Sequence, residues 1–139
     1  MPDDVFRFAA PITIRFRDLD AFGHVNNAVY FTYMEMARVE YFKHVGLLTD
    51  DFPSPFFIIA EANCQFKVPI LMSMALRLRV RVSRLGNSSF DMTYEFVADA
   101  AGQVLALGRT VQVMFDYAAQ RVVPLPDQWR QAISDFEAL

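Results

Sequence analysis

Much of the second half of the chain alternates between apolar and polar residues. Segments 60–68, 74–83 and 90–98 place an apolar or small residue at every second position, and 103–115 is a fourth long segment rich in Val and Leu. A period of two over such lengths is typical of half-buried antiparallel strands. The weaker alternation of 9–17, with its β-branched residues, predicts a first strand.

Segment 27–45 has a different pattern and predicts a long helix. Polar residues recur there at a spacing of three, as in Glu35 and Arg38, and most of the remaining surface is apolar. A helix that is apolar over most of its circumference is buried on several sides. Asn26 is suited to cap its start, and Gly46 follows its last turn, where a left-handed residue is commonly needed.

The order of these elements predicts how they pack. Segment 85–88 (Leu-Gly-Asn-Ser) is a hairpin turn, and a register that opposes the arginine row to acidic and polar residues places Arg81 across from Asp91 or Thr93. The tail 127–139 reads as a short amphipathic helix. We therefore expect one α+β domain over residues 1–139, in which a curved five-stranded antiparallel sheet wraps one long helix.

Composition and charge exclude several classes of function. The 139 residues are 54% hydrophobic, above the roughly 45–50% of an average soluble domain. A net charge of -3 argues against nucleic acid as a partner, and no apolar run approaches the roughly 18 residues of a membrane span. No secretory signal pattern is recognisable, so we expect a cytoplasmic protein. The apolar excess predicts a subunit interface, and hence a chain that is not a monomer.

Several common kinds of site have no counterpart in the sequence. It has no glycine-rich phosphate loop, no His-x-x-His pair and no Gly-x-Ser-x-Gly elbow. Two histidines and one cysteine argue against a transition-metal site, so we expect neither metal nor cofactor. The cysteine, Cys64, falls on the apolar face of its strand and is expected to fill the core.

Loop 18–27 concentrates the remaining chemistry, with two Asp, a Gly, a His and two Asn between two apolar elements. One interpretation is a plain strand-to-helix connection, which uses one turn and one cap. The other uses all the polar residues, because Asp20 lies just before a helix N-terminus that can hold a developing negative charge. A base or nucleophile beside an oxyanion site is the minimum equipment for acyl transfer.

The run Arg-Phe-Arg-Asp-Leu-Asp-Ala-Phe-Gly-His-Val-Asn-Asn at 15–27, followed by Tyr30 and Glu35, resembles the signature of hotdog-fold thioesterases. It is similar to the 4-hydroxybenzoyl-CoA thioesterase-like and acyl-CoA thioesterase branch. Segments 65–69 and 84–90 also resemble this family, so the likeness covers nearly the whole chain. It implies an acyl-CoA substrate, two subunits whose sheets join edge to edge in a homodimer or homotetramer, and active sites at the interface.

The resemblance also assigns roles within the loop. Asp20 matches the family's catalytic carboxylate, acting as general base or as a nucleophile that forms an anhydride. Backbone N–H groups around Asn27 would hold the thioester oxygen. His24 and Asn26 belong to the family's common Gly-His-Val-Asn-Asn form and are expected to position the site, and Asp18 is expected to be structural.

Outside the loop, the candidate substrate-binding residues are Glu35, Lys67, Arg84, Ser88 and Ser89. Glu35 on the long helix either tunes the site or pairs with Arg38. The two basic candidates are the residues we expect at the CoA phosphates. The serines either form the hairpin turn or line the pocket.

The leading hypothesis is hydrolysis of an acyl-CoA thioester to a free acid and CoA. An acyl-carrier-protein thioesterase is one alternative, although some of those enzymes have Asn where this chain has Phe22. A hotdog hydratase is another, but its Asp-x-Asn-Pro-x-His motif is absent. A non-catalytic acyl-CoA binding protein is the third, and Asp20 beside a helix N-terminus weighs against it.

Overall fold

The computed structural model describes residues 5–48, 56–98 and 102–139. In chain order its elements are β1 (Phe8–Ile12), a 3-10 turn (Phe16–Asp18), α1 (Asn27–His44), β2 (Phe56–Phe66), β3 (Leu76–Leu85), β4 (Ser89–Ala98), β5 (Gln103–Asp116), β6 (Arg121–Val122) and α2 (Asp127–Glu137). The expectation of one domain over 1–139 extends beyond the described residues and stays a prediction.

The strands form one antiparallel sheet in the order β1-β3-β4-β5-β2, and the two-residue β6 pairs with the end of β5. The sheet packs against α1, whose buried side chains include Tyr30, Met34, Tyr41 and Phe42. The α+β fold with one long helix is confirmed, and β6 adds a short sixth strand to the five expected.

The first strand is shorter than predicted. It covers Phe8–Ile12 rather than 9–17, because the chain turns into the 3-10 turn at Phe16–Asp18. The Asp18 carboxylate holds that turn by accepting a hydrogen bond from the Arg15 amide at 3.0 Å. By contrast, the helix begins at Asn27 as predicted, and Gly46 after it has a φ of +81°.

The predicted hairpin register is confirmed. Arg81 lies opposite Thr93, and Arg79 lies opposite Glu95 with a side-chain ion pair of 3.2 Å. A bulge after Val82 then shifts the register. Cross-strand charge pairs on one face thus fix which residues of β3 and β4 face each other.

Strand β2 is more exposed than its alternating pattern suggested. Among the described strands it pairs with β5 alone and forms one edge of the sheet, and most of its residues are exposed. Ile58, Ile59 and Phe66 are 37%, 39% and 44% exposed. Exposed apolar residues on an unpaired edge are a template for pairing with another chain.

Among the described residues, no helix is long and apolar enough to cross a membrane.

Helix α2 covers the end of the core near the C-terminus of α1. Trp129 packs its ring against Phe42, and the Glu137 carboxylate accepts hydrogen bonds from the Tyr41 hydroxyl (2.7 Å) and the Val82 amide (2.9 Å). This closure leaves the N-terminal end of α1, where the polar loop lies, free of α2.

Candidate active site

The loop before α1 is folded by its own backbone. The Asp20 amide donates to the His24 carbonyl at 2.7 Å, and the Gly23 amide donates to the Asp20 carbonyl at 3.1 Å. Gly23 has a φ of +81°, which a residue with a side chain rarely adopts. The turn therefore holds Asp20 and His24 side by side.

The Asp20 carboxylate uses only one of its oxygens in this turn. Its Oδ1 accepts hydrogen bonds from the Phe22 amide at 2.9 Å and the His24 amide at 3.2 Å. In the described part of the chain, no donor reaches Oδ2. The half-buried carboxylate is thus fixed in orientation while one oxygen stays available to water or substrate.

The first backbone donors of α1 are used unequally. The Asn26 side chain accepts from the Ala28 amide at 2.9 Å, and the Asn26 carbonyl accepts from the Val29 amide at 2.9 Å. The Asn26 amide itself donates to the Asp18 carbonyl at 2.9 Å. Within the described residues, the Asn27 amide has no acceptor. It lies at the positive end of the helix dipole, where a negative charge is favoured.

Asp20 and Asn27, the residues that carry these two groups, both line one cleft of about 260 Å³. Its polar lining residues are Asp20, His24, Asn27 and Lys67, and the other lining residues are Val25, Tyr30, Phe66, Val68 and Pro69. One wall contains Tyr30, whose ring meets that of Phe66 edge to face at 4.8 Å. Burial raises the pKa of Tyr30, so it stays a neutral phenol at neutral pH. The cleft offers a carboxylate, a backbone donor and an apolar surface together.

Asp18 has a structural role, as expected. Its buried carboxylate accepts from the Tyr33 hydroxyl at 2.6 Å and from the Arg15 amide and guanidinium. Burial alone would raise its pKa, but these three donors together hold the pKa of the Asp18 carboxyl below its usual value. Asp18 does not line the cleft; it ties the loop to α1.

Other candidate residues lie apart from the cleft. Glu35 lines a second groove, between α1 and β1, and no ion pair joins it to Arg38 in the described part of the chain. Arg84 lies at the end of β3 and donates to Asp91 at 3.1 Å. Ser88 and Ser89 lie at the β3–β4 turn. Their roles in substrate binding stay predictions.

Two lining features of the cleft were not singled out from the sequence. Phe66 and Pro69 lie near Lys67 in the segment that resembled the family, yet only the lysine has an obvious chemical role.

Cys64, two residues before Phe66, is half-buried, and burial raises the pKa of its thiol to about 11. It is therefore a neutral thiol near pH 7, as expected of a core residue rather than a nucleophile.

Comparison with known proteins identifies the family of the chain. The family model described as thioesterase-like superfamily matches residues 14–133. The chain belongs to this superfamily. It is a thioesterase with the hotdog fold, which its structural neighbours share.

Three relatives illustrate the range of the family. A thioesterase from Thermus thermophilus, solved with coenzyme A and zinc, is 35% identical with a TM-score of 0.84, over 97% of this chain and 98% of that one. The long-chain acyl-CoA thioesterase FadM of Escherichia coli is 24% identical over 88% of this chain and 93% of its own length. The 1,4-dihydroxy-2-naphthoyl-CoA hydrolase of Nostoc punctiforme is 29% identical over 84% of this chain and 79% of its own length.

Among the described residues of this chain, no cluster of three His, Cys, Asp or Glu could hold a metal ion.

Proposed function

We propose that this thioesterase hydrolyses acyl-CoA, with Asp20 as its catalytic carboxylate and the Asn27 amide as its oxyanion donor. The observation that carries the proposal is that two residues of one cleft each have a polar group without a hydrogen-bond partner among the described residues. Asp20 Oδ2 and the Asn27 N–H each have no partner among the described residues, and both residues line the same 260 Å³ space.

The reaction follows from these two groups. The thioester carbonyl oxygen accepts a hydrogen bond from the Asn27 N–H. Asp20 removes a proton from a water molecule as the water oxygen bonds to the carbonyl carbon. The tetrahedral oxyanion then collapses, the C–S bond breaks, and the CoA sulfur takes up the proton. General base catalysis typically contributes about 10²–10⁴-fold to the rate.

A nucleophilic route uses the same residues. Asp20 Oδ2 attacks the carbonyl carbon, CoA leaves as a thiol, and the resulting mixed anhydride is hydrolysed by water. Label in Asp20 after single-turnover hydrolysis in ¹⁸O-labelled water would identify the anhydride route. The general-base route puts the label only in the released acid, whereas attack of water at the Asp20 carbonyl of the anhydride puts it in Asp20.

The neighbouring residues have supporting roles. The His24 amide shapes the turn and the Asn26 side chain caps the helix, so both are positioning residues for Asp20 and Asn27. Lys67 on the cleft wall is the basic residue we assign to a CoA phosphate. Tyr30 and Phe66 form the apolar wall against which the first carbons of the acyl group pack.

The choice of CoA as the leaving group is supported by the relatives. Two of the three are named for acyl-CoA substrates, and the third was solved with coenzyme A. Their acyl groups differ, one being a long chain and another a hydroxylated aromatic ring system. Thiol release from short, long, branched and aromatic acyl-CoAs therefore tests the proposal, with an acyl-carrier-protein thioester in parallel. Release only from the carrier protein would move the assignment to that alternative, and release from none would contradict it.

We further propose that the protein is a homodimer in which two β2 edges pair. No strand of the described residues pairs with the outer side of the 11-residue β2, and its exposed Ile58 and Ile59 add apolar surface at that edge. Light scattering at micromolar concentration should give twice the chain mass of 15.9 kDa, or a higher multiple. A 15.9 kDa particle would contradict this assembly.

A further inference from the structure

Helix α1 carries a buried cation whose partners among the described residues are all neutral. Arg38 is 6% exposed, and its guanidinium donates to the Tyr94 hydroxyl at 3.1 Å. The same guanidinium lies 5.9 Å from the centre of the Phe57 ring. No carboxylate of the described residues forms an ion pair with it. Buried charges in proteins are normally paired, so this one is unusual.

The contacts of Arg38 continue into a short polar chain on the sheet. The Tyr94 hydroxyl lies 2.7 Å from Thr110 Oγ1, and Gln112 Nε2 donates to the same Thr110 oxygen. Burial raises the pKa of Tyr94, so the middle of this chain is uncharged at neutral pH. Gln112 is fully buried and its Oε1 has no hydrogen-bond partner. One end of the chain is thus a cation and the other an unused acceptor.

Arg38 and the candidate active site share one face of α1. Residues 11 apart in a helix lie on the same side, so Asn27 and Arg38 are aligned with a Cα separation of about 16 Å. Helical side chains lean toward the N-terminus, which brings the guanidinium nearer to the cleft. The structure therefore places the Arg38 cation about three turns along α1 from Asn27, on the same side of the helix.

The sheet opposite this face is lined by small residues. On β2, Cys64 pairs with Gly108 of β5, and Ala62 pairs with Thr110, the middle member of the polar chain. The absence of a side chain at Gly108 lets the Met34 sulfur pack against its backbone. Ala62 is exposed and Cys64 only half-buried, so a strip of small side chains runs from Phe66 at the cleft toward the polar chain.

We propose that Arg38 and Gln112 form a subsite for a polar, anionic end of the acyl group. The preferred substrate class would then be a CoA thioester whose acyl chain ends in a carboxylate. The Arg38 guanidinium donates to that carboxylate, and Gln112 Oε1 accepts from a water or hydroxyl beside it. This inference rests on the proposed function for the position of the thioester, but not on the role of Asp20.

The test compares pairs of substrates that differ only at the far end. We would measure kcat/KM for methyl-terminated and carboxylate-terminated acyl-CoAs of equal length, over a series of lengths. Wild type should prefer the carboxylate at one length by about 10- to 100-fold, since hydrogen bonds to charged groups are strong. Arg38→Met should remove that preference. A general loss of folded protein would lower both rates and leave their ratio unchanged, which keeps the ratio informative.

A second variant guards against a folding defect at Arg38. Gln112→Glu places a carboxylate at the other end of the polar chain, where it would repel a carboxylate-terminated acyl group, so it should also abolish the preference. Lys43→Gln removes an exposed cation from the same helix and is the matched control. Its ratio should equal that of wild type. A preference that survives Arg38→Met would overturn the proposal, as would a wild type that favours methyl-terminated chains at every length.

Binding measurements separate this inference from the proposed function. Calorimetry with non-hydrolysable CoA thioethers bearing the same two chain ends reports the subsite without any hydrolysis. Tighter binding of the carboxylate form that depends on Arg38, in a protein that hydrolyses none of the thioesters, would sink the proposed function and keep the subsite. Hydrolysis with equal binding of both thioethers would keep the function and reject the subsite.

Discussion

Replacing Asn27 by proline removes the one backbone donor assigned to the oxyanion. Proline is well tolerated at the first position of a helix, where its missing N–H has no intrahelical partner. The residue before a proline must be extended, and Asn26 already is, with φ −60° and ψ 136°. The Asn27 amide makes no hydrogen bond within the described structure, so the substitution should leave the fold intact.

The magnitude follows from the geometry of the cleft. Losing one oxyanion donor typically costs about 10²–10³-fold in kcat. Asn27→Pro should lose turnover in that range. Asn27→Ala keeps the N–H and removes only the side chain, so its turnover should stay within about tenfold of wild type. A tenfold change corresponds to ~1.4 kcal/mol.

The assay is thiol release from the best acyl-CoA of the panel, with circular dichroism and thermal melts on both variants. The Asn27→Ala variant is the control that isolates the side chain. Equal turnover of the proline and alanine variants would refute the assignment of the backbone amide. Loss of activity together with loss of helix signal in the proline variant would mean that the amide supports the fold instead.

Three other predictions concern the framework of the site. Tyr33→Phe removes a donor to the Asp18 carboxylate and should cost about 1.5–3 kcal/mol of unfolding free energy at pH 7, measured by urea denaturation. Because the pKa of Asp18 is lowered in the folded protein, this stabilisation is present above its ordinary value of 3.8 and is lost as the pH falls further. The difference between wild type and Tyr33→Phe should therefore shrink in acid, and a constant difference would contradict the carboxylate's role. Gly108→Ala places a Cβ against the Met34 sulfur and should cost about 1–3 kcal/mol. An unchanged melting temperature would show that Met34 moves freely.

The parts of the fold that could be predicted are those governed by local pattern. The two-residue period of β3 and β4 and the capping of α1 by Asn26 depend on neighbours along the chain, and the structure confirms both. The exposure of β2 depends on which strand lies at the edge of the sheet, which its own alternation does not encode. The turn that follows β1 is tied to the rest of the fold by Tyr33, which donates to Asp18 across 15 residues of sequence, a contact that local pattern does not encode.

The candidate site divides in the same way. Asp20 and Asn27 lie seven residues apart in one loop, so sequence alone could place them together. The contact between Arg38 and the polar chain on the sheet could not be found this way, because Arg38 and Tyr94 are 56 residues apart in the sequence. The sequence also did not predict the burial of Arg38. Arg38 follows Glu35 at a spacing of three on α1, and a polar stripe of this kind usually faces solvent.

The most direct test of the account is the turnover of Asp20→Asn. The amide keeps the size of the side chain and its oxygen can still accept from Phe22 and His24, so folding and assembly should be retained. Thiol release from the preferred acyl-CoA should fall by about 10²–10⁴-fold, as expected for loss of a general base. Wild-type turnover by this variant, purified to the same oligomeric state, would contradict the assignment of Asp20 as the catalytic carboxylate.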